Sequence, residues 1–417
     1  MKRSIQRLGF AVLAVLACAG AQAATFVVAN VGDSGSGSLR QAIADANAAS
    51  GSDTITFSVS GTITLASPLP SIADTAGLTI DGTGRVVTVS GNNAWRVMLV
   101  PVNASLTLIN LTIANGNAIE APNIFGGGVL NEGTLTVTDC SFIGNTALDG
   151  GGIFNAGTLH VAGSTFAGNS AQVGGGASAI GGNGGGIFNA GGSVNAALDI
   201  VNSTFSANTA TGQGEGQSAT GGTGGAIYNG SGAESSAGVI MTNATFHGNA
   251  ASGGIGQGGG IANYGKRAYV DIFNSIIAGS PSGGNCGGAD LAAIFDDGDN
   301  IDDGTTCNFS GAMGSMSSTN PLLGPLAANG GPTQTMALLP GSPAIDGVTY
   351  NLHNGAPPTD QRGVARPQGV RYDIGAYELV AAPAAATPVP TLNEWLLAAL
   401  AGLLLAAGAA TARERRR

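Results

Sequence analysis

The densest group of side chains that could do chemistry is the acidic stretch "FDDGDNIDDG", which begins at Phe295. It holds five carboxylates within eight residues, and Ca²⁺ takes six to eight oxygen ligands. The spacing departs from an EF-hand loop because Ile301 stands where an oxygen ligand is needed. The stretch therefore has two interpretations: a solvated acidic turn without a cofactor, or a calcium site. The carboxylates concerned are Asp296, Asp297, Asp299, Asp302 and Asp303.

Two cysteines, Cys286 and Cys307, flank this acidic stretch. A bridge between them would close a loop of about 20 residues and stabilise the fold by roughly 3 kcal/mol in an oxidising compartment. We predict that disulfide. Cys140 falls where neighbouring copies of a repeat have Ser164 and Ser203, so we predict a small buried residue and not a nucleophile.

The other acids and histidines do not form a recognisable catalytic set. Glycoside hydrolysis needs two carboxyl groups about 5–9.5 Å apart, and no adjacent copy has an acid in the column of Asp139. A lyase acting on a polyuronate needs cations beside its substrate, but no Lys or Arg occurs between Arg96 and Lys266. We assign His160 and His247 to the surface. The sequence favours a protein without catalysis, and a carbohydrate-active enzyme of the pectin-lyase-like class is the alternative.

Composition restricts the possible partners and folds. Between Ala24 and Pro390 the chain has 23 acidic and 8 basic residues, a formal net charge of −15. A nucleic-acid binder needs a basic surface, so nucleic acid is excluded as a partner. The 71 glycines among 417 residues indicate many turns and disfavour long helices.

A repeat carries most of these side chains. Its Gly-rich copies are 24, 34, 40 and 34 residues apart and start at Gly126, Gly150, Gly184, Gly224 and Gly258. Apolar residues two positions apart within each copy indicate strands with one buried face. A unit this short buries that face only by stacking on its neighbours. We predict an all-β fold, a right-handed parallel β-helix in which like residues form columns. One column is Ile113, Phe142, Phe166, Phe205, Phe246 and Ile277.

Two columns of Asn accompany the apolar ones. Asn can hydrogen-bond to its copy one turn away and tolerates a left-handed backbone, and no copy differs in kind from the others. We therefore predict structural ladders. The first column is Asn131, Asn155, Asn189, Asn229 and Asn263, and the second is Asn145, Asn169, Asn208 and Asn249.

An aromatic column adjoins the inward Ile column and consists of Leu130, Phe154, Phe188 and Tyr228. We interpret it as buried where the chain turns. The alternative is that strand alternation turns these side chains outward, where exposed rings would suit sugars or a protein partner.

Both ends of the chain have targeting features. Residues 1–23 have a basic start, an apolar run and a small-x-small ending, which predicts a signal peptide cut between Ala23 and Ala24. The alternative cut leaves Cys18 as a lipidated N-terminus. At the other end, an uncharged run from Trp395 to Ala412 precedes an Arg cluster and predicts a transmembrane helix with a cytoplasmic Arg end.

A short helix should follow the first strand. Ser38 and Gln41 have the spacing of a capping box, and Leu39, Ile43 and Ala46 would line one helix face. We expect this helix to cover the open end of the β-helix, where an uncovered strand edge invites aggregation.

Four stretches resemble known families. "GGGIF" or "GGAIY" followed by F-x-x-N resembles the repeats of polymorphic outer-membrane proteins, which are autotransported adhesins. Residues 25–57 are similar to the N-terminal segment of many secreted bacterial β-helix proteins. "NPLLGPLAANGGPTQTMALLPGSPAIDG" (320–347), with "DQRGVARP" and "DIGAYE", resembles the choice-of-anchor Q domain. "VPTLNEW" (389–395) resembles the IPTL-CTERM sorting signal, with Val389 in place of the usual Ile.

These resemblances imply a Gram-negative surface protein whose partners are signal peptidase and a membrane sorting protease. The protease would cut near Pro390, Thr391 and Leu392, ahead of Trp395. The helix would hold the chain in the membrane before this processing, and the mature protein would stay on the cell surface or be released. A glycan or protein ligand stays open. The expected segments are a signal peptide (1–23), a cap with the first turns (24–100), the repeats (101–280), a disulfide and anchor-Q-like region (281–380), a linker (381–390) and a sorting segment (391–417).

Overall fold

The computed structural model describes residues 23–119, 124–173, 182–192, 194–212, 222–253, 257–289, 293–349, 356–380 and 394–416. The chain divides into two compact units, Met1–Leu379 and Val380–Arg417. The predicted signal peptide up to residue 22 and the predicted cut at Pro390–Leu392 lie outside the described residues.

The first unit is a right-handed parallel β-helix, as the sequence predicts. One turn of it, called a rung below, contains the strands Ile153–Asn155, Thr158–Ala162, Thr165–Ala167 and Ser170–Gln172. Each strand pairs in parallel with its counterparts in the rungs before and after. The rod therefore has four long sheets, which we number 1 to 4 in the order in which this rung visits them.

The strands of each sheet come from successive rungs. Sheet 1 contains Met98–Val100, Val129–Asn131, Ile153–Asn155, Ile187–Gly191, Ile227–Ser231, Ile261–Tyr264 and Cys286–Gly288. Sheet 2 contains Thr25–Val28, Asp53–Phe57, Leu78–Asp81, Ser105–Ile109, Thr134–Thr138, Thr158–Ala162, Ala196–Val201, Ala237–Thr242, Ala268–Phe273 and Ile294–Asp296. Sheet 3 contains Gly61–Thr64, Val87–Ser90, Thr112–Ala114, Ser141–Ile143, Thr165–Ala167, Thr204–Ser206, Thr245–His247, Ile276–Ala278 and Ile301–Asp302. Sheet 4 contains Asn117–Ala118, Thr146–Ala147, Ser170–Gln172, Thr209–Thr211 and Ala250–Ser252.

The inside of the rod is filled by columns of like side chains. The Phe rings of sheet 3 stack with centroids 4.8 Å apart from Phe142 to Phe166 and from Phe166 to Phe205, and 4.6 Å apart from Phe205 to Phe246. All four rings are fully buried. These spacings match the separation of neighbouring strands, so one rotamer repeats from rung to rung without a void.

The Gly-rich start of each copy forms the corner between sheets 4 and 1. Gly150 has a φ of +67°, a left-handed conformation that favours glycine. A Cβ on Gly151 would lie 2.5 Å from the carbonyl oxygen of Gly185 in the next rung. Glycine is therefore required for conformation at the first position and for close approach at the second. The extra residues of the longer copies fall in two places: before this corner, and, in the copies that start at Gly184 and Gly224, also between the strands of sheets 1 and 2.

Helix α1 (Leu39–Ala48) packs at the N-terminal end of the rod and buries Leu39, Ala42, Ile43 and Ala46. Ser38 caps it by accepting a hydrogen bond from the Gln41 backbone N–H at 3.2 Å. The predicted reciprocal bond of a capping box is absent, because the Ser38 N–H donates to the Gly35 carbonyl and the Gln41 side chain donates to Asp45.

Beyond the last rung the chain returns along the outer side of sheet 3. We call residues 323–349 and 356–379 the returning segment. Residues on this returning segment include an antiparallel pair, Leu323–Ala327 with Thr335–Leu338. The Thr333 hydroxyl donates to the Gly163 carbonyl at 2.7 Å, and the Gly375 N–H donates to the Asn274 carbonyl at 2.8 Å. The segment predicted over 281–380 thus lies, up to Leu379, in the same compact unit as the repeats.

The second unit contains helix α2 (Glu394–Glu414). Its stretch Trp395–Glu414 is long and apolar enough to cross a membrane, and its side chains are exposed within the unit. Trp395, assigned to the sorting segment, lies in its first turn and is 84% exposed.

Candidate functional site

The side chains of the first Asn column form a continuous ladder of hydrogen bonds inside the rod. The Nδ2 of Asn131 donates to the Oδ1 of Asn155 at 2.6 Å, and the same bond continues to Asn189, Asn229 and Asn263 at 2.7, 2.8 and 2.9 Å. The five side chains are fully buried. Nδ2 of Asn155 also donates to the Ala197 carbonyl at 3.1 Å. These amides satisfy one another and the backbone, so the column is structural.

The second Asn column forms an equivalent ladder where sheet 3 meets sheet 4. Nδ2 donates to the next Oδ1 at 2.9 Å in each of the three steps from Asn145 through Asn169 and Asn208 to Asn249. The same Oδ1 also accepts the preceding copy's backbone N–H, as Asn208 does from Asn169 at 3.1 Å. Both ladders are as the sequence predicts, and neither presents its amides to solvent.

The acidic stretch holds together the C-terminal end of the rod. Asp302 accepts hydrogen bonds from Nδ2 of Asn285 at 2.6 Å and from the backbone N–H of Cys307 at 3.0 Å. Asp296 accepts from the Ser315 hydroxyl at 2.6 Å. Within the described residues no group of three or more His, Cys, Asp or Glu is arranged to hold a metal ion. The calcium interpretation therefore has no geometry to support it.

Near these aspartates, Cys286 and Cys307 form a disulfide with an S–S distance of 2.02 Å. The bridge ties the last strand of sheet 1 to the loop after the last strand of sheet 3. It borders a cavity of about 610 Å³ that is lined partly by Gln257, Thr306 and Asn308. Cys140 is free and buried. Burial raises the pKa of its thiol to about 12, so the group stays protonated and is a poor nucleophile.

The aromatic column lies on the outside of sheet 1, so our preferred interpretation of a buried turn is wrong. Ile153 and Asn155 point inward and are buried, which turns Phe154 outward. Centroids are 4.6 Å apart from Phe125 to Phe154, 4.9 Å from Phe154 to Phe188 and 4.6 Å from Phe188 to Tyr228. The rings from Phe154 to Tyr228 stack face to face, with interplanar angles of 13° and 8°, and Phe125 is tilted by 32° against Phe154, so each stacked face is covered by the next ring. Sugar stacking uses ring faces, so this column is a poor sugar platform.

A polar column at the adjoining corner was missed in the sequence, because every copy has a different residue there. The Asn183 N–H and Nδ2 donate to Oδ1 of Asp149 at 2.9 and 3.1 Å, and the Thr223 hydroxyl donates to Oδ1 of Asn183 at 2.7 Å. Burial raises the pKa of Asp149 to about 6. Burial, followed by the charge of Asp149, raises the pKa of Tyr228 to about 12.

The outer face of sheet 2 has the arrangement closest to a catalytic pair. Nδ1 of His160 lies 3.6 Å from Oδ2 of Asp199 in the next rung, and both side chains are about half exposed. The neighbouring positions in the same column are Thr136 and Ile240. Neither supplies a second carboxylate within one rung of Asp199. The next carboxylate of the column is Asp271, two rungs from Asp199, a separation of about 9–10 Å by strand spacing that lies at the upper limit for hydrolysis of a glycosidic bond.

Farther along this face lies a mixed apolar and acidic patch. Ile240, Tyr269 and Phe295 are 42%, 38% and 47% exposed. Asp271 pairs in register with Ile240 on one side and Phe295 on the other. A Cβ on Gly238 would lie 2.5 Å from the Tyr269 ring, so the ring leans over this glycine. We call these residues the sheet 2 patch.

Charged residues of the returning segment form a buried cluster that sequence reasoning did not single out. Nη1 of Arg366 lies 2.8 Å from Oε2 of Glu378, and both side chains are fully buried. Arg362 pairs with Asp360 at 2.7 Å and lies over the Tyr377 ring at 3.5 Å. These residues belong to "DQRGVARP" and "DIGAYE". The signal was present in the quoted motifs, but the partners become evident only when the two motifs meet in space.

Gln361 connects this cluster to the rod. Its Oε1 accepts from the Thr204 hydroxyl at 2.6 Å, and its Nε2 donates to the hydroxyls of Thr165 and Thr333 at 3.0 and 2.9 Å. Thr165 and Thr204 are neighbours in the outer column of sheet 3. The returning segment therefore covers this face, whereas no described part of that segment is hydrogen-bonded to the outer side chains of sheet 2 between Thr136 and Phe295.

No family model matches the chain, and no curated protein matches its sequence. Among solved structures, Jun a 1, the major allergen from cedar pollen, is 14% identical over 64% of this chain and 71% of its own, with a TM-score of 0.32. A likeness at this level says nothing about activity.

We predict that Arg366→Ala loosens the returning segment. Removing one partner of a buried ion pair leaves Glu378 charged and uncompensated, which costs about 3–5 kcal/mol. Denaturant unfolding should show the loss, and limited proteolysis should cut between residues 323 and 379. Arg371→Ala, an exposed arginine of the same segment, is the control. Equal effects of the two variants would contradict the structural role of the cluster.

We predict that Asp149 destabilises the rod as the pH rises. Its pKa is raised to about 6 in the folded protein from about 3.9 in an unfolded chain. Its contribution is therefore fully present below pH 4 and is lost as the pH passes 6. Asp149→Asn should gain up to about 2–3 kcal/mol over wild type between pH 4 and 7.5. Unfolding midpoints measured across this range test it.

The control for this titration is Val86→Ala, because that side chain is exposed and carries no titratable group. The difference in unfolding free energy between this variant and wild type should stay constant over the same pH range. If the unfolding midpoints of Asp149→Asn and wild type change with pH in parallel, the prediction is contradicted.

Proposed function

We propose that this chain is an exported rod at the surface of a Gram-negative bacterium that acts without catalysis, as a structural or adhesin-like module. The observation that carries the proposal is that the repeated polar side chains bond to their own copies inside the rod. A side chain held in that way cannot also turn over a substrate. What such a rod offers is a long surface.

The sheet 2 patch is the contact surface in this proposal. It combines exposed aromatic and aliphatic side chains with the carboxylate of Asp271, which interacts with the nearby carboxylate of Asp297; partial burial raises the pKa of both groups. Aromatic rings beside hydrogen-bonding groups suit a neutral glycan or a protein surface. An anionic polymer fits poorly beside these carboxylates.

The composition of the C-terminal segment supports export in this proposal. Helix α2 has the length and composition of a membrane span, and the Arg cluster that follows would keep its end in the cytoplasm. The likeness of "VPTLNEW" to a sorting signal suggests a membrane protease that removes α2. Signal peptidase and that protease are the partners proposed here, and the membrane is a partner until the second cut.

A carbohydrate-active enzyme is the second candidate, and the pair of His160 and Asp199 is the observation that favours it. An imidazole held by a carboxylate can act as a general base. In a Ca²⁺-bridged uronate glycan it would take the proton next to the carboxylate while the glycosidic C–O bond breaks and solvent protonates the departing oxygen. In a neutral glycan it would take a proton from the water that displaces the departing sugar oxygen.

We expect the exported protein to retain a polysaccharide from a neutral and acidic panel without releasing new chain ends, with or without Ca²⁺. Tyr269→Ala should weaken retention about tenfold or more, because aromatic residues dominate such contacts. Val86→Ala, 78% exposed elsewhere on the rod, is the control. New chain ends that disappear in Asp199→Asn would establish the enzyme instead. If the protein neither retains nor cleaves any polysaccharide of the panel, a glycan ligand is contradicted.

We also expect the mature protein to lack α2. Its intact mass should end near Pro390–Leu392, and replacing Pro390 and Thr391 by Ala should leave the helix attached and the protein in the membrane fraction. A wild-type protein that keeps α2 after export would contradict the sorting proposal.

A further inference from the structure

The first strand of the rod begins at a buried carboxylate. The backbone nitrogen of Ala24 donates to Oδ1 of Asp53 at 2.8 Å, and Asp53 is 1% exposed. Strand pairing fixes this nitrogen, because the Ala24 carbonyl accepts from the Thr54 N–H at 2.9 Å. Ala23 is exposed, so the peptide bond between Ala23 and Ala24 lies at the surface with its nitrogen facing inward.

Asp53 is incompletely satisfied by this single contact. Its Oδ2 is buried and has no hydrogen-bond partner among the described residues. The ion pairs in that part of the chain, such as Arg40 with Asp33, do not include it. A buried carboxylate without a cation or further donors is costly, and a positively charged donor with more than one hydrogen would satisfy both of its oxygens.

We propose that cleavage of the Ala23–Ala24 bond supplies that donor. Water adds across the peptide bond, which leaves a carboxylate on Ala23 and an ammonium on Ala24. An amide nitrogen has one hydrogen, whereas the ammonium has three and a positive charge. It keeps the bond to Oδ1 and brings a donor to Oδ2. The mature N-terminus and Asp53 then form a buried ion pair that locks the first strand.

The geometry distinguishes this cut from its alternatives. A cut that leaves Cys18 at the N-terminus keeps Ala24 nitrogen as an amide. A cut after Ala24 removes the nitrogen from the site. Asp53 therefore matches one product alone, and leader removal becomes the last step in building the N-terminal end of the rod. This inference rests on the export part of the proposed function and is independent of what the rod binds.

The first test is the intact mass of the full-length protein after expression in a secreting Gram-negative host. We expect a protein that starts at Ala24. A start at any other residue, including Cys18, overturns this inference and leaves export intact. An uncleaved chain in the cytoplasm overturns the proposed export together with the inference.

The second test compares mature protein that starts at Ala24 with protein that keeps Ala23, each released from a cleavable tag. The Ala24 start should raise the thermal unfolding midpoint by about 2 °C or more. Asp53→Asn should abolish that difference, and Asp45→Asn, an exposed carboxylate on α1, should preserve it. An equal difference in Asp53→Asn overturns the ion pair. If Asp53→Asn does not fold, equal midpoints of the two wild-type starts overturn it.

Discussion

A parallel stack of rungs makes each residue the neighbour of its own copy at the spacing of two strands. The 4.6–4.8 Å steps of the inner Phe column and the repeated amide bond of the Asn ladders follow from this constraint. A side chain is tolerated inside only if it can pack on or bond to itself. Phe, Ile, Ala and Asn satisfy the condition, and glycine serves where no side chain fits. The recurrence of like residues at equivalent positions of the copies therefore follows from the way the rungs stack.

The same constraint indicates where function can lie. A residue that matches its copies is explained by stacking, whereas a residue that interrupts a column needs another reason to be there. His160 and Asp199 interrupt theirs on the outer face of sheet 2, and Asp149 lies in a corner column whose described members all differ. The sheet 2 patch likewise replaces the Thr residues of earlier rungs. Departures from the repeat, more than the repeat itself, mark the surface that the proposed contact would use.

Strand periodicity was enough to predict the β-helix, the inward columns and the Asn ladders, because these contacts join equivalent positions of adjacent copies. The outward direction of Phe154 was not predictable from type, since a Phe is equally compatible with the core. The partners of Gln361 were also beyond reach. Thr165 and Thr204 lie 196 and 157 residues away, and no periodicity relates them to it. The unsatisfied oxygen of Asp53 likewise appears only when burial is known.

The returning segment gives the rod a mechanical property that stacked repeats alone lack. Its last residues are held by carboxylates, with the Glu378 N–H on Asp360 and the Leu379 N–H on Asp373. From there its contacts run to the rungs of Asn243, Thr204 and Thr165. Tension applied at Leu379 is therefore distributed over several rungs and loads their hydrogen bonds in shear. The load therefore does not fall on the hydrogen bonds of the terminal rung alone, which would otherwise break one after another.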